Sequence, residues 1–239
     1  MTASHSFATT HWSLVLAAGQ RTLPESEKAL AALCQAYWPA VYVFICRQIA
    51  DRHEAQDLTQ GFFTQLLEKN LLAIADPSRG RFRSFLLTSV RNFLNNEWDR
   101  QQALKRGGGQ KILALDFQQH DSNFSQEPAH TLTPDRLYER QWVLALLDLV
   151  LGRLRAEYMK AHKEKIFDQL KGSLSAAASE KTLGDVAREL GITENAAKVA
   201  VHRMRKRYRE LLRAEVAQTV ADPQEVDDEI RQLFAALRP

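Results

Sequence analysis

The chain has only two cysteines, Cys34 and Cys46, in 239 residues. Their spacing fits neither a CxxC pair nor a zinc ligand pair, and both stand in apolar helical context, so they read as buried free thiols. The seven histidines are scattered. HExxH, GxSxG and Walker A patterns are missing. Arg106-Gly107-Gly108-Gly109-Gln110 lacks the Lys-Ser/Thr of a phosphate loop and reads as flexible linker. No catalytic residue, metal ligand or cofactor is therefore expected. No apolar run reaches the ~20 residues that a membrane-crossing helix needs. The N-terminus lacks the basic-then-apolar form of a secretory leader. A cytoplasmic protein without membrane contact is the expectation. Net charge is only +3, with 32 basic and 29 acidic residues. So mild an excess does not announce nucleic acid, and the distribution of charge matters more than its total.

What is present is helical period, almost throughout. The apolar spacing predicts helices at about 12–18, 25–37, 39–49, 52–69, 83–102 and 134–158. Further ones fall at 163–171, 183–190, 194–216 and 223–237. No alternating strand pattern occurs, so the expected fold class is all-α. The stretch 107–133 holds the glycines and a polar run, and reads as a linker with a short apolar island, Ile112–Phe117. Thr133-Pro134 restarts helix as an N-cap followed by Pro at the first helical position. The expected layout is an N-terminal extension (1–24), a first helical domain (25–106), the linker (107–133), a second helical domain (134–217) and a C-terminal extension (218–239).

The strongest local grammar lies at 182–212. Leu183, Val186, Ala187 and Leu190 mark one helix face, Gly191 supplies a turn residue, and Thr193 is placed to cap a second helix. Ala197, Val201, Met204, Tyr208 and Leu211 line that helix. Lys198, His202, Arg203, Arg205, Lys206, Arg207 and Arg209 occupy its other faces. This is the order of a helix-turn-helix whose second helix enters the major groove. Lys and Arg would hold phosphates. Base reading would fall to Asn195, Lys198, Val199, His202 and Arg203, near the start of the second helix.

Two features stand out in the first half. The helix at 52–69 has an apolar face of Ala55, Leu58, Phe62, Phe63 and Leu66, and a polar face carrying Glu54, Asp57 and Gln60. Gly61 interrupts it at a cost of about 1 kcal/mol relative to Ala. The segment after it mixes cations with aromatics, in Ser78, Arg79, Arg81, Phe82, Arg83 and Phe85, and the following helix adds Arg91 and Asn92. That mixture suits single-stranded nucleic acid, where cations track the backbone and rings or pockets hold bases.

Both halves, in this order, resemble a sigma factor of bacterial RNA polymerase, of the small extracytoplasmic-function class that has only regions two and four. Asp57-Leu58-Thr59-Gln60 with Phe62, Phe63 and Leu66 is similar to the family's docking helix. Arg81-Phe82-Arg83-Ser84-Phe85-Leu86 with Val90-Arg91-Asn92-Phe93 is similar to its −10 segment, and 183–212 to its −35 reader. The resemblance covers roughly 30–106 and 144–213. It implies that Glu54, Asp57 and Gln60 bind core polymerase through the β′ coiled coil. It also implies that Ser78, Arg79, Arg81, Phe82, Arg83, Arg91 and Asn92 serve the melted −10 strand. Asn195, Lys198, Val199, His202, Arg203, Arg205, Lys206 and Arg207 would serve the −35 duplex. Core polymerase (β′ coiled coil and β flap) and promoter DNA are the implied partners, with room for an anti-sigma or other regulator. Gly61 stands where relatives commonly have Glu, and Ala200 where they often have Arg, so no −35 consensus carries over. The segment 155–181 is longer than usual.

Two other readings compete. A stand-alone helix-turn-helix regulator, with an N-terminal sensing or dimerisation domain, has no need of the Arg/Phe/Asn segment. A metal nuclease built on Asp51, Glu54 and Asp57 lacks a matching His or a second acid cluster. The tail is a surplus over what a small sigma factor requires. Asp222-Pro223-Gln224-Glu225 has the form of a capping box, and Val226, Ile230, Leu233, Phe234 and Leu237 form an apolar stripe. An acidic amphipathic helix that folds back on a sigma domain or binds a regulator is expected there, beside the plainer alternative of a helix that completes the second domain.

Overall fold

The computed structural model describes residues 12–20, 24–106, 132–174 and 182–238. Every regular element among them is helical, as the periodicity requires: α1 Trp12–Gly19, α2 Pro24–Cys46, α3 Arg52–Glu68, α4 Phe82–Arg106, α5 Pro134–Lys160, α6 Glu164–Leu170, α7 Leu183–Leu190, α8 Glu194–Ala217 and α9 Val226–Ala236. Short 3-10 turns occupy Leu71–Ile74, Pro77–Arg79, Lys171–Leu174 and Pro223–Glu225. The apolar island Ile112–Phe117 lies outside the described residues.

The chain divides into two compact units, Met1–Ala145 with Gln218–Pro239, and Leu146–Ala217. The division falls inside α5 rather than in the 107–133 stretch, and the tail groups with the first unit, not with the second domain that the plainer alternative had it complete. Side-chain burial explains the difference. Tyr138 and Trp142, on the first part of α5, are buried, and the Tyr138 hydroxyl donates to the Arg83 carbonyl at 3.1 Å. The N-terminal segment is likewise no mere extension. Trp12, Val15 and Ala18 of α1 are buried, and the Trp12 amide donates to the Gln218 carbonyl at 3.2 Å.

In the first unit, α2 runs unbroken through Pro39, where the sequence suggested two helices. Proline removes one backbone donor and strains the preceding turn. Ala36, Tyr37, Ala40, Val41, Phe44 and Ile45 all bury around it, and tertiary packing of this kind overrides local preference. Continuity corrects another expectation. Ser26–Cys46, at 21 residues, is long and apolar enough to cross a membrane by length and composition, and it is the one such helix among the described residues. Here much of its apolar surface packs into the unit's core. Aromatic rings knit that core: Phe82 meets Trp12 and Tyr37 edge-on at 6.0 and 5.4 Å, and Phe62 meets Phe93 at 5.7 Å. A fully buried ring or branched aliphatic contributes about 1.5–3 kcal/mol. A Cβ at Gly61 would meet the Phe93 ring at 3.4 Å, about an ordinary contact distance, so packing does not demand glycine there.

The second unit consists of the remainder of α5 with α6, α7 and α8. Val150, Leu154, Phe167, Leu170, Val186, Ala187, Ala197, Val201, Met204 and Val216 are its buried centre. The Tyr208 hydroxyl donates to the Leu147 carbonyl at 3.3 Å.

Candidate nucleic-acid interface

Local chemistry builds the helix-turn-helix of the second unit. The Thr182 hydroxyl accepts from the Asp185 amide at 3.2 Å and starts α7. Gly191 stops it in the left-handed region, φ 65°, and the Ile192 amide returns to the Ala187 carbonyl at 3.0 Å. The Thr193 hydroxyl then accepts from the Ala196 amide at 3.2 Å, capping α8 as the sequence required. Asp185, accepting from Thr182 and Arg188, has its carboxyl held below the ordinary range.

On α8 the apolar face is Ala197, Val201, Met204 and Leu211, all buried, with Tyr208 half-buried. Asn195, Lys198, Val199, His202, Arg203 and Lys206 are exposed. Their spacing of three and four places them on one stripe, opposite the core. Lys198 lies 2.8 Å from Glu194 on the same helix, and two further expected members of the basic face are engaged by other elements. Arg205 donates through Nε and Nη2 to the Ser173 carbonyl at 2.9 and 2.7 Å. Arg207 forks onto Glu157 at 2.8 and 2.6 Å and reaches Glu210 at 3.1 Å. The Glu157 carboxyl is held below its usual range by Arg207. These two arginines, expected along the −35 duplex, fasten α8 within its own unit.

In the first unit, α3 begins at an Asp51 cap whose carboxylate accepts from the His53 and Glu54 amides at 2.7 and 3.1 Å. Those amide bonds lower the Asp51 carboxyl, the one from Glu54 contributing most. Glu54, Asp57 and Gln60 follow as an exposed row on the face away from Ala55, Thr59, Phe62 and Leu66. Past α3, Asp76 organises the loop, accepting from the Ser78 amide and hydroxyl at 2.9 and 2.7 Å. Gly80 follows at φ 119°, a conformation that side chains rarely adopt. Ser78 and Arg79 are thereby exposed, with Arg79 3.6 Å from Asp76.

The neighbouring residues depart from expectation. Phe82 is 4% exposed and belongs to the aromatic core, so it is not a ring offered to a base. Arg83 is buried too, ion-paired with Glu229 of α9 and lying 5.2 Å from the Trp142 ring centre. Arg81 pairs with the same Glu229 and donates to Gln232. Arg91 is exposed but meets Asp135 at 2.5 Å, while Asn92 is exposed on α4. Of the seven residues expected along this segment, Ser78, Arg79, Arg91 and Asn92 present surface, and Arg81, Phe82 and Arg83 face inward.

Glu229 and Gln232 were missed as site residues. A signal existed: Glu229 sits on the stripe of Val226 and Leu233, where an acid is out of place unless an internal cation meets it. Phe234, expected on that stripe, is 43% exposed instead. Asp222 does cap the tail, accepting from the Gln224 amide at 2.8 Å, but the first turn is 3-10 and α9 proper starts at Val226. No family model, curated protein or solved structure matches this chain.

Proposed function

We propose that this chain is a dissociable initiation subunit of bacterial RNA polymerase, a sigma factor of the small two-region class. The observation that carries the reading is the stripe of Asn195, Lys198, Val199, His202, Arg203 and Lys206, exposed on the second helix of a capped helix-turn-helix. In this role the stripe reads the −35 duplex, cations on phosphates and Asn195, Val199 and His202 toward base edges. The exposed Ser78, Arg79, Arg91 and Asn92 hold the melted −10 strand, and Glu54, Asp57 and Gln60 dock on core polymerase. A flipped base costs a few kcal/mol to unstack, and a loop already shaped by Asp76 and Gly80 meets it without reorganising. Catalysis belongs to the polymerase, and the protein acts where polymerase and chromosome meet, in the cytoplasm.

The test is run-off transcription with purified core polymerase on promoter fragments from the same genome. Specific transcripts that require the chain support the reading, and failure to bind core polymerase overturns it. The helix-turn-helix stripe by itself equally favours a stand-alone duplex-binding regulator. That protein would bind a palindromic site tightly without polymerase.

A further inference from the structure

The arginines at the start of α4 and the acid on α9 form one device. Glu229 is fully buried and ion-pairs with both Arg81 and Arg83, while Gln232, one turn on, accepts from Arg81. These arginines follow directly on the Ser78–Gly80 loop, whose own side chains present surface. Arg83 is further fixed over the Trp142 ring, and its carbonyl receives the Tyr138 hydroxyl. We infer that α9 is a working part of the strand-binding element, with Glu229 as a positioning residue that sets the loop through Arg81 and Arg83. This rests on the promoter-melting role proposed above.

The opposite arrangement, a tail that masks two arginines until DNA displaces it, fits the burial less well. Val226, Leu233 and Ala236 of α9 are buried alongside Glu229. Releasing the helix would expose that apolar surface and leave an acid and two arginines without partners. One strand's phosphates regain only a fraction of this, since exposed ion pairs are weak. A clamp instead gains from permanence: a loop held in its binding shape loses little freedom when the strand arrives.

The experiment uses the full chain with core polymerase. It measures affinity for short randomised single-stranded oligonucleotides and, separately, for a promoter duplex. Hydrogen exchange reports on the amides of Ser78, Arg79, Gly80 and Arg81. Glu229→Gln should lower single-strand affinity about tenfold, speed exchange in that loop and leave duplex affinity unchanged. Arg81→Gln should act in the same direction, and the double variant should be no worse than the worse single variant, because both changes undo one contact. Arg81 retains a quarter of its side-chain exposure, so its variant carries the test if Glu229→Gln does not fold. Unchanged single-strand affinity and exchange in folded Glu229→Gln overturn the clamp, and so does a gain in affinity, which marks the tail as a mask. In both cases losses in Arg79→Ala and Asn92→Ala keep the strand-binding role standing. If the unaltered protein binds no single strand with core polymerase, or those two variants bind like it, the strand-binding role fails and the clamp with it.

Discussion

The two units use arginine in opposite ways. At the start of α4 the cations turn inward, onto a buried acid from a helix almost 150 residues further along the chain, with Arg83–Glu229 separated by 146 positions. On α8 the exposed stripe keeps Lys198, Arg203 and Lys206 on the surface, Lys198 beside Glu194 of its own helix at 2.8 Å, while the flanking Arg205 and Arg207 are fastened to other elements of their unit. A basic run therefore says little about its target until the acids that share its space are known. Where a buried carboxylate arrives from elsewhere in the fold, the cation becomes structure; an exposed pair such as Arg91–Asp135 is weak enough to yield to phosphate.

Four measurements break or sharpen this contrast. The largest effect belongs to Glu229→Ala. Leaving two arginines without their buried partner should lower the stability of the first unit by about 3–5 kcal/mol in urea unfolding. A loss below about 1 kcal/mol would mean that Arg83 reaches water and that the inward arrangement is not real. Next comes Met204→Ala, on the buried side of α8. It should cost about 3 kcal/mol by thermal denaturation, because the side chain is fully enclosed. Gly191→Ala is smaller, about 1–2 kcal/mol, since it forces a side chain into the left-handed region at the turn. Last, Arg203→Ala should change stability by less than about 0.5 kcal/mol. It should nevertheless weaken duplex binding and lower the slope of log affinity against log salt by about 1. An unchanged salt slope would remove Arg203 from the phosphate contacts.

Much of this was legible in the chain itself, wherever the causes are local. The helix-turn-helix is the clearest case. Gly191 at the turn, Thr193 at the cap and the spacing of Ala197, Val201 and Met204 each act within a few residues, and the structure places each as its chemistry demands. The polar row Glu54, Asp57 and Gln60 is exposed for the same reason. The inward turn of Arg81, Phe82 and Arg83 was not legible locally because their partners are remote: Glu229 and Gln232 on α9, and Trp12, Tyr37 and Trp142 on other helices. The break expected at Pro39 failed similarly, because proline's local cost is offset by burial on both sides of it.

The amino-acid order alone determined the helical class, the helix starts and stops set by caps and glycines, and the outward stripe of α8. All of these follow from period, capping and backbone sterics, which act over one or two turns. Tertiary structure alone decided which arginines face solvent, that the tail joins the first unit, and that α5 is shared between the two units. Those outcomes depend on which surfaces meet across long stretches of chain, where a buried charge requires a partner that no local pattern specifies.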